Sequence, residues 1–212
     1  MNEGKLKIPV VFAVVGEPGS GKSWFSSRLS TGFDAFGIDY ERLRHYLFDE
    51  VQYSNEEDAV VENTTSFIMD ELFAHNRSFV VDGGANNYHF RRKLAKKCDE
   101  KGYEMVIIWL QANKDLADGR AKQSEVFKAD YYKRQLSPTQ IQALNDKFYK
   151  PTDKEDAIVI SGNHSFESQM KRVLNNMFKR KLTTKPPKET YQNLNKKVKL
   201  PSDERRNRMR YI

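Results

Sequence analysis

The sequence is short of cysteine, of long apolar runs and of clustered histidine. Its 212 residues hold one cysteine, Cys98. No disulfide can therefore close within the chain, and a reducing compartment is the expectation. Phe90, Leu94 and Cys98 recur every four residues, which puts the thiol on the apolar stripe of a helix and marks it as core. The longest apolar run, Val10–Val15, falls far short of the ~20 residues that cross a bilayer. No small-residue cleavage site follows it, so it does not read as a secretory leader. The expected location is cytoplasmic, with no membrane partner. The four histidines, His45, His75, His89 and His164, show neither ligand spacing nor paired cysteines, which argues against a zinc site of the common kinds. There is no internal repeat.

Charge is abundant. Charged residues make up 31% and hydrophobic residues 38%, values of a globular domain, while a mean hydropathy of -0.77 points to one strongly polar segment. That segment is the C-terminus. Residues 179–212 carry 12 Lys+Arg against 3 Asp+Glu, leaving 24 basic and 26 acidic residues in the rest of the chain. The net charge of +7 thus describes an appendage and not the face of a site. With Lys185-Pro186-Pro187-Lys188, Arg205-Arg206-Asn207-Arg208-Met209-Arg210 and few apolar residues, 182–212 reads as a basic, disordered tail behind a domain at 1–181. Such a tail can neutralise phosphates of RNA or DNA, or serve as a non-specific extension.

The stretch with chemistry is Gly16-Glu17-Pro18-Gly19-Ser20-Gly21-Lys22-Ser23, which fits G-x-x-x-x-G-K-[ST] at every fixed position. Glycines let the loop turn its N–H groups inward, and the helix that follows presents its positive end to an anion. Lys22 is placed for the β- and γ-phosphates of ATP, and the Ser23 hydroxyl for Mg²⁺. Residues 16–23 and the adjoining Trp24 are the expected nucleotide contacts. The context fits, since a buried strand over 9–15 precedes the loop and a helix beginning near Trp24 follows it.

The rest of the chain alternates strand and helix. Strands are expected over 33–38, 78–81, 104–110 and 157–160. Helices are expected over 40–49, from Ser54 to about His75 with Val61, Thr65, Ile68 and Leu72 on one face, over 88–101, over 113–123, from Ser137-Pro138 to about Tyr149, and from Phe166 to Phe178. The polar stretch 124–134 has no clean period and reads as mobile. Five strands alternating with helices imply an α/β fold, a doubly wound parallel sheet with ligands at the carboxyl ends of its strands. Asp39 and Asp82 both fall at such ends. Asn113-Lys114-Asp115 has the look of a guanine-recognition sequence, but its spacing is one residue short and Ala85 stands where the companion glycine is needed.

Residues 10 to about 178 resemble the P-loop kinase family that includes polynucleotide 5′-hydroxyl kinases, zeta toxins and chloramphenicol phosphotransferases. The carriers are the G-x-P-G-S-G-K-S loop, the D-x-x-R element Asp39-Tyr40-Glu41-Arg42, the stretch Asp82-Gly83-Gly84-Ala85-Asn86-Asn87 with Arg91 downstream, and Arg120 after the fourth strand. The resemblance implies a P-loop fold with strand order 2-3-1-4-5 and a mobile lid at about 120–137. It also implies roles. Asp39 would be the general base, and Lys22 and Arg120 would act on the transferring phosphoryl group. Asp82 would hold Mg²⁺ together with Ser23. Arg42, Asn86, Asn87 and Arg91 would line the acceptor side.

Two features depart from the family pattern. Ser124 occupies the place of a second lid arginine, so either Lys122, Lys128 or Arg134 substitutes or the phosphoryl-stabilising group is missing, and Gly84-Ala85 replaces the usual small-Thr pair. The first expectation is an ATP-dependent polynucleotide 5′-hydroxyl kinase whose residues 182–212 are dispensable for transfer to small acceptors. The alternatives are a nucleoside, sugar or antibiotic kinase, or a nucleic-acid-associated ATP-binding module that has lost turnover.

Overall fold

The computed structural model describes residues 6–113, 137–184 and 186–197. The expected lid with Arg120, Lys122, Ser124, Lys128 and Arg134, nearly all of the helix expected over 113–123, and the end of the basic tail lie outside the described residues.

The fold is built around β1 (Val10–Val15), all six residues of which are buried. A strand covered on both faces has no polar side to alternate with, which is why it reads as the unbroken run VVFAVV. It pairs in parallel with β3 (Phe79–Asp82) on one side and β4 (Glu104–Gln111) on the other. β2 (Phe36–Asp39) and β5 (Ile158–Ser161) close the edges, giving the order β2-β3-β1-β4-β5. This is the five-stranded parallel sheet expected from the sequence. The chain leaves β1 toward α1 (Lys22–Phe33), and the neighbours of β1 diverge in opposite directions at its carboxyl end. Open sheets of this kind bind their ligands at that point.

Helices cover both faces. Val10, Phe12 and Val14 point to one side, where they meet Phe25 and Leu29 of α1 and Met170, Val173, Leu174 and Met177 of the helix Phe166–Lys179. Val11 faces the other side, with Val61, Met69 and Phe73 of α3 (Asn55–Ala74) and Leu94 and Cys98 of α4 (Tyr88–Lys101). Burial pushes the Cys98 thiol up to about 12, consistent with a core cysteine. On α3 the buried stripe runs Val61, Thr65, Met69, Phe73, while Ile68 and Leu72 are only half-buried beside it. Two further helices are α2 (Tyr40–Leu47) and α5 (Pro138–Asp146). Ser137 caps α5 through a reciprocal pair with Gln140, as the Ser-Pro-x-Gln sequence suggests. In chain order Phe166–Lys179 is α6. No helix among the described residues is long and apolar enough to cross a membrane.

The domain boundary expected at residue 181 needs correction. Thr183 bridges Leu6, Lys7 N–H donates to the Leu182 carbonyl at 3.0 Å, and Pro187–Lys197 forms a seventh helix, α7. Leu182 and Leu194 are buried in the same core as β1, and Leu194 lies against Gly32 of α1. The segment through residue 197 is therefore part of the domain. Its apolar residues are too sparse among lysines to form a readable stripe, because the surface that buries them is supplied by α1 and α6.

Candidate active site

The phosphate loop leaves β1 at Gly16 and ends at the first turn of α1. Inside it, Ser20 N–H donates to the Glu17 carbonyl at 3.2 Å, and Lys22 Nζ donates across the loop to the same carbonyl at 2.8 Å. Lys22 is 8% exposed. Two contacts hold the loop from outside. Gly162, at the exit of β5, passes so close that a Cβ there would stand 2.2 Å from the Ser20 carbonyl oxygen. Asn86 grips Gly16 at two points, its Oδ1 accepting from Gly16 N–H and its Nδ2 donating to the Gly16 carbonyl, both at 3.0 Å.

The two strand-end carboxylates meet. Asp39 and Asp82 are register partners on adjacent parallel strands, so they project from the same face about 4.8 Å apart along the sheet. Asp39 Oδ1 accepts from the N–H groups of Glu41 and Arg42, both at 3.0 Å, and so caps α2. The cap does not compete with a chemical role; it fixes the carboxylate at the cavity. Asp82 is 5% exposed, and its Oδ2 is buried with no hydrogen-bond partner. A buried carboxylate oxygen without a donor is costly unless a cation or water serves it. The arrangement accordingly fits Mg²⁺ shared between Asp82 and the Ser23 hydroxyl. Tyr40 packs over Gly83-Gly84, where a Cβ on Gly84 would lie 2.4 Å from the tyrosine ring. That contact accounts for glycine in a position where the family pattern has a side chain.

Both asparagines of the expected acceptor stretch line the cavity, but their side chains serve the backbone. Asn86 holds the phosphate loop, and Asn87 Oδ1 caps α4 by accepting from His89 and Phe90 N–H at 2.8 and 3.1 Å. Arg91 lies away from the acceptor side and is 1% exposed. Its Nε and Nη2 form a bidentate pair with Glu155 at 2.6 and 3.1 Å. Nη1 donates to the carbonyls of Ala85, Asn86 and Tyr149, and Nη2 to that of Lys150. Burial alone would raise the Glu155 pKa, yet the hydrogen bonds from Arg91 and Thr152 outweigh it and hold the carboxyl below its ordinary value. Every donor of this arginine is used inside the protein, which corrects its assignment as an acceptor ligand. It instead joins the turn after β3 to the chain leaving α5. Arg42 is exposed and does not line the cavity. Trp24 is half-buried, edge-on to Phe166 at 5.7 Å, with the Arg28 guanidinium 3.7 Å above its ring.

The cavity is also lined by residues that the sequence did not mark. Its volume is about 140 Å³, and Lys22, Ser23, Asp39 and Asp82 share its lining with Glu41, Arg44, Tyr53, Asp58, Glu62 and Lys147. Arg44, 5% exposed, binds Glu57 at 3.0 Å and Asp58 at 2.5 Å. Burial works against its charge, but Asp58, Glu41 and Glu57 raise its pKa overall. Glu57 also accepts from Gln52 and Tyr53 N–H, so its carboxyl stays below the ordinary range despite burial. Tyr53 Oη donates to Glu41 at 2.9 Å, and Lys147, following α5, reaches Asp58 at 2.5 Å. Among the described residues, five carboxylates thus line the cavity with three cations. The only sequence signal was the spacing Glu41–Arg44, which also describes ordinary surface helices.

Among curated proteins, none matches this sequence significantly. Solved structures share the fold. A gluconokinase from Sinorhizobium meliloti 1021 superposes with a TM-score of 0.59 at 12% identity, over 83% of this chain and 94% of that one. An unliganded sugar kinase from Janibacter sp. HTCC2649 gives 0.55 at 13%, over 79% and 93%. The Mycobacterium tuberculosis APS kinase, solved with AMPPNP and APS, gives 0.56 at 17%, over 81% and 98%. Residues 2–176 match the sequence profile of the zeta toxin family, and the chain belongs to that family.

Proposed function

We propose that the chain is an ATP-dependent kinase that transfers the γ-phosphoryl group to a hydroxyl of a small acceptor of sugar or polyol type. The observation that carries this reading is the register pairing of Asp39 with Asp82 at the mouth of the cavity that also holds Lys22 and Ser23. A base, a metal-holding carboxylate and the phosphate lysine then face one space, as an in-line transfer requires.

In the proposed reaction the acceptor O–H gives its proton to Asp39, and its oxygen forms the new bond to Pγ. The bond from Pγ to the β–γ bridging oxygen breaks, and ADP leaves. Lys22 and the loop N–H groups hold the phosphates where charge accumulates. Ser23 and Asp82 would hold Mg²⁺, which would supply charge neutralisation on the phosphates. Asn86 keeps the loop in place by gripping Gly16. Arg120 retains its proposed role on the transferring group.

A polynucleotide acceptor, expected first from the basic tail and the loop, is less well supported. Lys188, on α7, does not line the cavity, and the described cavity lining carries more carboxylates than cations, which a phosphate-bearing strand would meet unfavourably. The gluconokinase and sugar kinase likeness favours a small hydroxylated acceptor. The test is transfer of labelled γ-phosphate from ATP and Mg²⁺ to sugars, sugar alcohols, nucleosides and 5′-hydroxyl oligonucleotides. Label in a sugar or polyol supports the reading. Label confined to oligonucleotides restores the polynucleotide one, and ATP binding without transfer to any acceptor points to a binding module.

A further inference from the structure

Resting on the kinase reading above, we propose that Glu62 on α3 determines acceptor specificity, and that the acceptor presents O–H or N–H donors to it with no phosphate next to the reacting hydroxyl. Among the described residues the cavity carries five carboxylates against three cations, and most of these groups are already engaged. Glu41 accepts from Tyr53, and Asp58 is held between Arg44 and Lys147. The helix N–H groups fix Asp39, and Lys22 belongs to the phosphate loop. Glu62 differs. It stands at the exposed rim, one turn beyond Asp58 on the same face of α3, and its carboxylate accepts no hydrogen bond and joins no ion pair among the described residues.

A second observation marks the space as built for a ligand. Asp82 Oδ2, nine-tenths buried, borders the same cavity without a donor. Once Asp82 and Lys22 serve the nucleotide, the remaining lining is Asp39, Glu41, Asp58 and Glu62 against Arg44 and Lys147. Arg44 is enclosed by its carboxylates, so among the described residues the lining that an acceptor meets is acidic. A phosphate there would face like charge in a partly desolvated site, where repulsion is strong. A hydroxyl or ammonium group finds a carboxylate acceptor in Glu62, and hydrogen bonds to a charged partner are the stronger kind.

The experiment measures KM and kcat for the full chain and its Glu62→Gln and Glu62→Lys variants with a free hexose, an amino hexose and a hexose phosphate, recording KM for ATP alongside. The expected wild-type order places the hexose or amino hexose ahead of the hexose phosphate. Glu62→Gln raises KM for the preferred acceptor about tenfold or more, with a much smaller change in KM for ATP. Glu62→Lys moves preference toward the hexose phosphate. Whether hexose or amino hexose loses more identifies the donor. Wild-type preference for the hexose phosphate, or acceptor KM unmoved in both variants, overturns the proposal and leaves the kinase reading standing. No transfer above an Asp39→Asn background with any acceptor overturns both.

Discussion

The two sides of the cavity are held in different ways. On the side proposed for the nucleotide, single side chains bond to main chain: Asn86 to Gly16, Lys22 to the Glu17 carbonyl, and Asp39 to the first N–H groups of α2. On the side proposed for the acceptor, side chains hold one another, with Arg44, Glu57, Asp58, Tyr53, Glu41 and Lys147 drawn from four separate segments. The loop carries a motif that names it in the sequence. The lattice carries none: it pairs α2 with the segment before α3 and the start of α3, and Asp58 with the distant Lys147, at spacings that no motif specifies.

Arg91 links the two sides, so its loss should have the largest effect. Arg91→Met leaves the Glu155 carboxylate and several carbonyls without their donor and should cost about 3–5 kcal/mol in urea unfolding. Because the turn carrying Asn86 loses its support, both ATP and acceptor KM should rise. A change confined to one of them would show that the sides are independent.

Leu194→Ala is the complementary case. It opens a cavity in the core beneath α1, remote from both walls, and should cost about 2–5 kcal/mol while the ratio of ATP to acceptor KM stays as it was. Deleting residues 182–212 should destabilise further, since Leu182 goes as well. A truncated chain that melts with the intact one would restore the appendage expected from charge alone.

The smallest effect should come from acid. Glu57 on the acceptor side and Glu155 on the linking turn both have pKa values depressed below the ordinary carboxylate value. Groups depressed in the folded state stabilise it above their unfolded pKa, and that contribution disappears as pH falls through the folded value. Stability measured by urea unfolding should therefore decline on acidification below the usual glutamate range, with a shallower slope in Glu155→Gln. An identical slope would mean that the Arg91 pair contributes nothing to the pH dependence.

These differences also explain what could be read from the sequence. The alternation of strands and helices and the helix starts at Ser54 and Ser137 follow from local patterns that the structure repeats, the strand order came from the family resemblance, and the Asn87 cap was not read. The nucleotide loop was legible for the same reason. Arg91 was visible as a residue but not as a buried hub, since nothing in its neighbourhood names Glu155 or the carbonyls of Tyr149 and Lys150. Residues 182–197 were misread because composition weighs lysines and overlooks two leucines that find a core already made. The acceptor wall was missed altogether. Glu41 and Arg44 have the spacing of a surface ion pair, and only the fold buries them; Asp58 and Glu62 carry no signal beyond lying one turn apart on a helix.

The most direct measurement compares Asp39→Asn with the wild type, following labelled phosphate transfer and ATP affinity on the same samples. The expected result is a fall in transfer of about 10²–10⁴-fold, the usual contribution of a general base, with the ATP Kd within about twofold of the wild type because the phosphate loop is untouched. Transfer that survives the substitution would contradict the assignment of Asp39 as the base. An equal loss of ATP binding would contradict the division of the cavity into a nucleotide side and an acceptor side.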